Sequence, residues 1–111
     1  MMKFEGHIVG ANQRYAFRQS KHLSELYVNF KSSVGWTFKS QNPGFIPLDG
    51  RVKVTLFYNS KHDGDNVEKG IFDALEGLAY MSDRQIKDRH ILESKEIEPG
   101  FWLYISEIGG L

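Results

Sequence analysis

Apolar residues recur with helical spacing in two stretches of the chain. The first stretch starts at Ser20, whose side chain is suited to an N-cap, and ends before the helix-breaking run Asn42-Pro43-Gly44. Its apolar residues fall at i, i+3, i+4, i+7 and i+11, and they are Leu23, Leu26, Tyr27, Phe30 and Val34. This spacing predicts one long amphipathic helix.

A second helix is predicted after the polar run that ends at Gly64. Its apolar stripe consists of Val67, Ile71, Ala74, Leu75 and Leu78. Either Asp65 or Asn66 is the expected N-cap, because both side chains can accept a hydrogen bond from an unpaired N–H of the first turn. Gly77 is suited to the C-terminal end of this helix.

Alternation of apolar and polar residues predicts the strands. In the clearest one, Val52, Val54, Leu56 and Tyr58 point to one face, and Arg51, Lys53, Thr55 and Phe57 point to the other. Residues 2–10, 85–93 and 101–105 are the other predicted strands, and one side of 85–93 carries Ile86, Asp88, His90 and Leu92. The order strand, helix, strand, helix, strand, strand fits an α+β or α/β domain. We expect α+β, with a small mixed sheet of about four to five strands packed with two helices.

Composition narrows the possibilities further. The 111 residues, 41% of them hydrophobic, fit one domain over residues 1–111 with a single core. There is no cysteine, which excludes a disulfide framework, a thiolate nucleophile and a cysteine-ligated zinc site. Lys plus Arg and Asp plus Glu both total 14, so net charge gives no global sign of a polyanionic partner. No apolar run approaches the roughly 20 residues that span a bilayer, and a cytoplasmic protein without membrane contacts is expected.

Acidic residues are concentrated where the second helix begins. Asp63 and Asp65 precede or open that helix, and two carboxylates this close together suit a hard cation such as magnesium. Lys69 lies four residues after Asp65 on the same helical face, where it could neutralise charge on a phosphate or form only a surface salt bridge. On spacing alone, an aspartate N-cap with a solvated lysine is favoured. A calcium-binding loop is excluded, since its sixth position is Glu68 instead of glycine and its twelfth is Ala74.

A longer pattern changes this interpretation. The run from Asp63 to Gly77, followed by 80–86, resembles the RusA family of Holliday junction resolvases. The family pattern is Asp-x-Asp-Asn-x-x-Lys-x-x-x-Asp-x-Leu, then a short spacer and an aspartate followed two residues later by glutamine. Every one of those positions has the family residue here, the last two being Asp83 and Gln85. One departure is Ser82, where many members have a second acidic residue before the aspartate.

The resemblance implies a homodimeric, magnesium-dependent endonuclease that introduces paired nicks into four-way DNA junctions during recombination and repair. By motif position, Asp63, Asp65 and Asp83 are expected to bind Mg²⁺, and together with the essential lysine Lys69 they are expected to be the catalytic residues. Asp73 occupies a further acidic position of the family and is expected to have a supporting role.

Cations outside the acidic stretch are needed to bind DNA, because the carboxylates themselves repel it. Arg14, Lys21, Lys61 and Arg84 are the predicted DNA-binding residues, and Arg18, Lys87 and Arg89 are further candidates. The alternative hypothesis is a non-catalytic nucleic-acid or protein-binding module in which the acidic cluster only caps a helix. In a dimer, Trp36, Trp102 and Tyr104 could belong to the interface or to the core.

Overall fold

Four strands and two helices make up the part of the fold that the computed structural model describes, residues 1–11 and 24–109. In chain order they are β1 (Met2–Glu5), α1 (Glu25–Gln41), β2 (Val52–Asn59), α2 (Gly64–Leu75), a short 3-10 helix (Asp83–Gln85), β3 (Ile86–Glu93) and β4 (Gly100–Glu107). The predicted α+β class, with a small mixed sheet and two helices, is confirmed. No helix in the described ranges is long and apolar enough to cross a membrane.

The sheet has the strand order β1-β4-β2-β3. β4 is antiparallel to both of its neighbours, whereas β2 and β3 are parallel and are connected through α2. Gly100 opens β4 beside β1, and a side chain there would collide with the backbone of Phe4. A glycine is therefore needed for β1 and β4 to pair at this point.

The core lies between one face of the sheet and the two helices. The predicted alternation in β2 is confirmed, because Val52, Val54 and Leu56 are fully buried and Lys53 is exposed. Burial of each such aliphatic side chain contributes about 1.5–3 kcal/mol. Among the described residues no element covers the other face of the sheet, where Tyr104 remains 43% exposed.

The first helix begins later than the pattern predicts. Ser24 is the N-cap of α1, and its side chain accepts a hydrogen bond from the Tyr27 N–H at 3.1 Å. The prediction of Ser20 as the cap of this helix is therefore wrong, and residue 20 itself lies outside the described ranges. The helix ends at Gln41, before Pro43, as predicted. Leu26, predicted on the apolar face, is 55% exposed.

Three other local predictions are corrected. The N-cap of α2 is Asp63, so the helix starts earlier than an Asp65 or Asn66 cap would allow. β1 ends at Glu5 instead of continuing to residue 10. In β3 the pairing register with β2 shifts near its start, so Ile91 faces the core and Leu92 is 47% exposed. The extra residue at this irregularity exchanges the two faces of the strand beyond Ile86.

Candidate active site

Two of the predicted carboxylates lie at the start of α2. Asp63 has extended backbone angles and accepts the first helical hydrogen bond from Val67 N–H through its carbonyl at 3.0 Å. Its side chain does not cap the helix. Asp65 lies in the first turn, and both aspartates are exposed. Within the described ranges, no hydrogen-bond donor or cation contacts either carboxylate, so both are available to a ligand. The unpaired N–H groups of the helix start favour negative charge here.

Lys69 lies one turn further along α2. Its Nζ is 3.3 Å from Asp73 Oδ1, so in the structure it pairs with the aspartate that follows it and not with Asp65. The lysine side chain is 46% exposed, and such a pair contributes about 0–1 kcal/mol. Asp73 also accepts a hydrogen bond from the Tyr27 hydroxyl at 3.4 Å. Asp73 is thus held by two partners, while Lys69 can leave the weak ion pair at little cost.

Asp83 lies at the other end of α2. Its backbone N–H donates to Glu76 Oε1 at 3.2 Å, and Glu76 is the C-cap of the helix. The 12 residues of α2 extend about 18 Å. The pairing of the strands agrees with this placement. Asp83 lies just before β3, and β3 starts opposite the first residue of β2. Asp63, in contrast, comes after the last residue of β2. The eight residues of β2 extend about 26 Å.

The structure therefore brings Asp63 and Asp65 together but leaves Asp83 at a distance within one chain. Accordingly, the described residues contain no group of three His, Cys, Asp or Glu side chains that could hold a metal ion. Asp63 and Asp65 alone fit magnesium, which is commonly held by one or two carboxylates, with water and phosphate oxygens as its remaining ligands. As a set of three, the predicted metal ligands do not fit one ion within a single protomer.

The glutamine of the motif, to which the sequence assigned no role, is a structural anchor. Gln85 Nε2 donates to the carbonyls of Leu48 and Gly50 at 2.7 and 2.9 Å. Its Oε1 accepts from the backbone N–H groups of Met81 and Ser82, both at 2.9 Å. Two of these hydrogen bonds thus tie the segment around Asp83 to the loop before β2, and the other two fix the Gln85 side chain within that segment. The Ser82-x-x-Gln85 spacing is that of a capping box and indicates the bond from Ser82. No spacing signal points to Leu48 and Gly50, which lie 37 and 35 residues away.

A buried tyrosine belongs to the same end of α2. The Tyr80 hydroxyl donates to the Phe72 carbonyl at 2.5 Å, and the side chain is fully buried. Burial, followed by the nearby carboxylates of Glu76, Asp83 and Asp73, raises the pKa of Tyr80 far above its usual value, and Arg89 opposes this effect. The hydroxyl therefore remains a hydrogen-bond donor and stabilises the end of the helix.

The predicted DNA-binding residues are widely separated. Lys61 is exposed in the loop before Asp63, where it lines a cleft of about 570 Å³, and Arg84 is exposed beside Asp83 at the far end of α2. Arg14 and Lys21 lie outside the described residues, as does the further candidate Arg18. Arg89, also considered from the sequence, is not free: it pairs with Glu68 at 2.9 Å and its guanidinium lies over a phenylalanine ring.

The fold and site together define the class of protein. Exposed carboxylates beside a lysine at a helix start are groups that serve phosphodiester hydrolysis. A family model described as endodeoxyribonuclease RusA matches residues 5–105, which is nearly the whole chain, and the protein belongs to this family. Membership implies the nuclease activity of a Holliday junction resolvase, and the resemblance found in the sequence is confirmed. No curated protein matches the chain.

Proposed function

We propose that this protein is a cytoplasmic, magnesium-dependent endonuclease that resolves four-way DNA junctions by paired nicks in recombination and repair. The observation that carries the proposal is the pair of exposed aspartates, Asp63 and Asp65, at the start of α2 in a chain of the RusA family. Neither carboxylate has a partner among the described residues. An aspartate serving only as a helix cap would bond the N–H groups of the first turn, and the Asp63 side chain makes no such bond.

Asp63 and Asp65 would hold the magnesium ion. When bound, the ion supplies Lewis acidity, which lowers the pKa of a coordinated water and polarises the scissile phosphate. Lys69 lies one turn from Asp65, and its ammonium group neutralises charge that develops on the phosphate once it exchanges Asp73 for the substrate. The exchange costs little, because the pair is partly exposed.

Asp83 enters the same proposal through a second copy of the chain. Within one protomer it lies at the opposite end of α2 from Asp63. For both carboxylates to act on one phosphodiester, they must therefore come from different protomers. A homodimer also suits the substrate, since a four-way junction has approximate two-fold symmetry and paired nicks need two related sites.

The helical layer is the surface that we propose for dimerisation, because only an interface on that side brings the α2 helices of both protomers close together. Trp36 lies on this side at a groove between α1 and α2 and is 71% exposed. Sedimentation velocity of Trp36→Glu should show a monomer. Tyr104→Glu, on the uncovered face of the sheet, is the matched control and should leave the dimer intact. The opposite result would place the interface on the sheet.

The activity is tested on a synthetic four-way junction labelled on each strand. With Mg²⁺, the wild-type protein should nick two opposite strands at symmetric positions, whereas EDTA should prevent nicking. A flap substrate with the same sequence tests the preference for junctions, and Asp65→Asn is the inactive control. Binding without nicking in any divalent ion would instead support the non-catalytic binding module.

A further inference from the structure

A cleft of about 570 Å³ lies at the loop that connects β2 to Asp63. One wall is the loop after β2, which contains Lys61 and His62 and leads into Asp63. The opposite walls come from residues that follow β1 and from the connection between β3 and β4. The Asn59 side chain donates to the Ile97 carbonyl at 2.8 Å, and Gly6 N–H donates to the Pro99 carbonyl at 2.8 Å. These bonds hold the three walls together.

Basic side chains dominate the polar lining of the cleft. Lys61 and Lys95 are exposed at its edge, and His7 and His62 add two imidazoles. None of the described residues that line it is an aspartate or a glutamate. Lys95 forms an ion pair that is weak in geometry, because its Nζ lies 3.9 Å from Glu93 Oε1 and both side chains are at least half exposed. Lysine side chains in this setting can exchange such a partner for a phosphate with little loss.

The cleft also has an apolar part. Ile8 and Val9 are buried beneath it, and Leu26 on α1 is 55% exposed beside it. Its volume lies within the roughly 300–1,000 Å³ that is usual for sites that bind small molecules or single residues of a polymer. Cations along the edge and apolar side chains below match a nucleotide, which presents phosphates on one side and a sugar and base on the other.

We propose that this cleft binds a single DNA strand next to the site of cleavage, with Lys61 and Lys95 on its phosphates and the sugar and base against Ile8, Val9 and Leu26. The inference rests on the proposed function, because it identifies the surface that would lead the strand to Asp63. It assigns a binding role to Lys95, which lies far from Lys61 along the chain and is not part of the family pattern.

The test measures binding of a fluorescein-labelled 20-nucleotide oligothymidine by fluorescence anisotropy in EDTA, at several salt concentrations. Each lost phosphate contact should lower the slope of log affinity against log salt by about 0.7 for a single strand. Lys61→Ala/Lys95→Ala should therefore lower the slope by about 1.4. Lys3→Ala/Lys53→Ala removes the same charge from the uncovered face of the sheet and should leave the slope unchanged.

Equal slopes for the two double variants would overturn the proposal. Circular dichroism of both variants checks that these surface substitutions leave the fold intact. Because the binding assay contains no divalent ions, its result does not depend on whether the protein cleaves DNA. If the protein cleaves no junction but the salt slope falls only in the cleft variant, the cleft proposal is supported and the proposed nuclease activity is refuted. A protein that cleaves junctions, with equal slopes in both variants, would do the reverse.

Discussion

Both ends of α2 carry acidic residues, but their carboxylates differ in their contacts. At the start of the helix, the carboxylates of Asp63 and Asp65 are exposed and have no partner among the described residues. At the other end, Asp73 accepts from a tyrosine and a lysine, and Glu76 accepts from a backbone N–H. One short run of acidic residues thus combines groups that are free to bind a ligand with groups that hold the chain in place.

This difference separates the roles within the family pattern. A carboxylate that is already bonded must lose those bonds before it can bind a metal or a phosphate, whereas an unbonded one needs only to lose water. Asp65 is therefore the better candidate for chemistry, and Asp73 and Gln85 are the better candidates for stability. Asp83 is intermediate, because its backbone is anchored but its carboxylate has no partner in the described part of the chain.

The largest effect on the cleavage rate is expected from Asp65→Asn, and the same isosteric change at the other end of α2, Asp73→Asn, is its control. Asp65→Asn should lower the rate of junction cleavage by about 1,000-fold, which corresponds to about 4 kcal/mol, because it removes a proposed metal ligand. Asp73→Asn should change the rate by less than about threefold and lower stability by about 1 kcal/mol or less. Single-turnover cleavage and thermal unfolding measure the two quantities. Equal losses of cleavage rate in the two variants would contradict a catalytic role for Asp65 and a structural role for Asp73.

Replacement of the anchor should affect stability instead of chemistry. Gln85→Ala removes four hydrogen bonds and should lower the free energy of unfolding by about 2–3 kcal/mol. Gln41→Ala is a suitable control, since that glutamine makes two exposed bonds with the Lys3 backbone and should cost about 1 kcal/mol or less. Urea titration gives both values. A loss below that of the control would show that Gln85 is not an anchor.

Lys69, between the two ends, sharpens the comparison. Lys69→Ala should lower the cleavage rate by about tenfold, because charge on the reacting phosphate is less well neutralised. Stability should change by less than about 1 kcal/mol, since the lysine loses only one exposed ion pair. Junction affinity in calcium should remain nearly constant. An unchanged cleavage rate would leave Lys69 as part of the salt bridge alone.

A mixture of two inactive variants tests whether Asp83 acts across a dimer. Equal amounts of Asp65→Asn and Asp83→Asn, exchanged to equilibrium, should form heterodimers as half of the population. Sites shared between protomers would leave one intact site in each heterodimer, so about a quarter of the wild-type sites should return and produce single nicks. Without recovery of nicking, Asp83 does not complete the partner's site.

Much of the architecture could be predicted because it depends on short-range periodicity. The alternation of β2 matches its buried residues. In α2 the predicted Val67, Ile71 and Leu75 are buried, whereas Ala74 and Leu78 are only partly buried and Leu78 lies beyond the end of the helix. The RusA-like pattern was equally local, since its positions span fewer than 30 residues. Local patterns of this kind are preserved because a helix and a strand each impose one repeat on the side chains.

The failures share a different cause. In β3, an irregularity after Ile86 exchanges the buried and exposed faces of the strand, and no residue type at that point predicts it. The separation of Asp63 from Asp83 follows from the parallel pairing of β2 with β3, which depends on contacts between residues that are distant in the sequence. The basic cleft collects residues from three distant segments. Contacts between distant residues decide each of these features, and periodicity contains no information about them.

The position of β4 has a consequence for the order in which the chain can assemble. β1 is the first described strand and pairs only with β4 among the described strands, whereas β4 is the last of the described elements in chain order. During synthesis, β1 therefore has no strand partner until β4 has left the ribosome, and the edge of β2 stays open for the same time. Removal of the last strand would leave a β2–α2–β3 unit with an open edge, prone to aggregation.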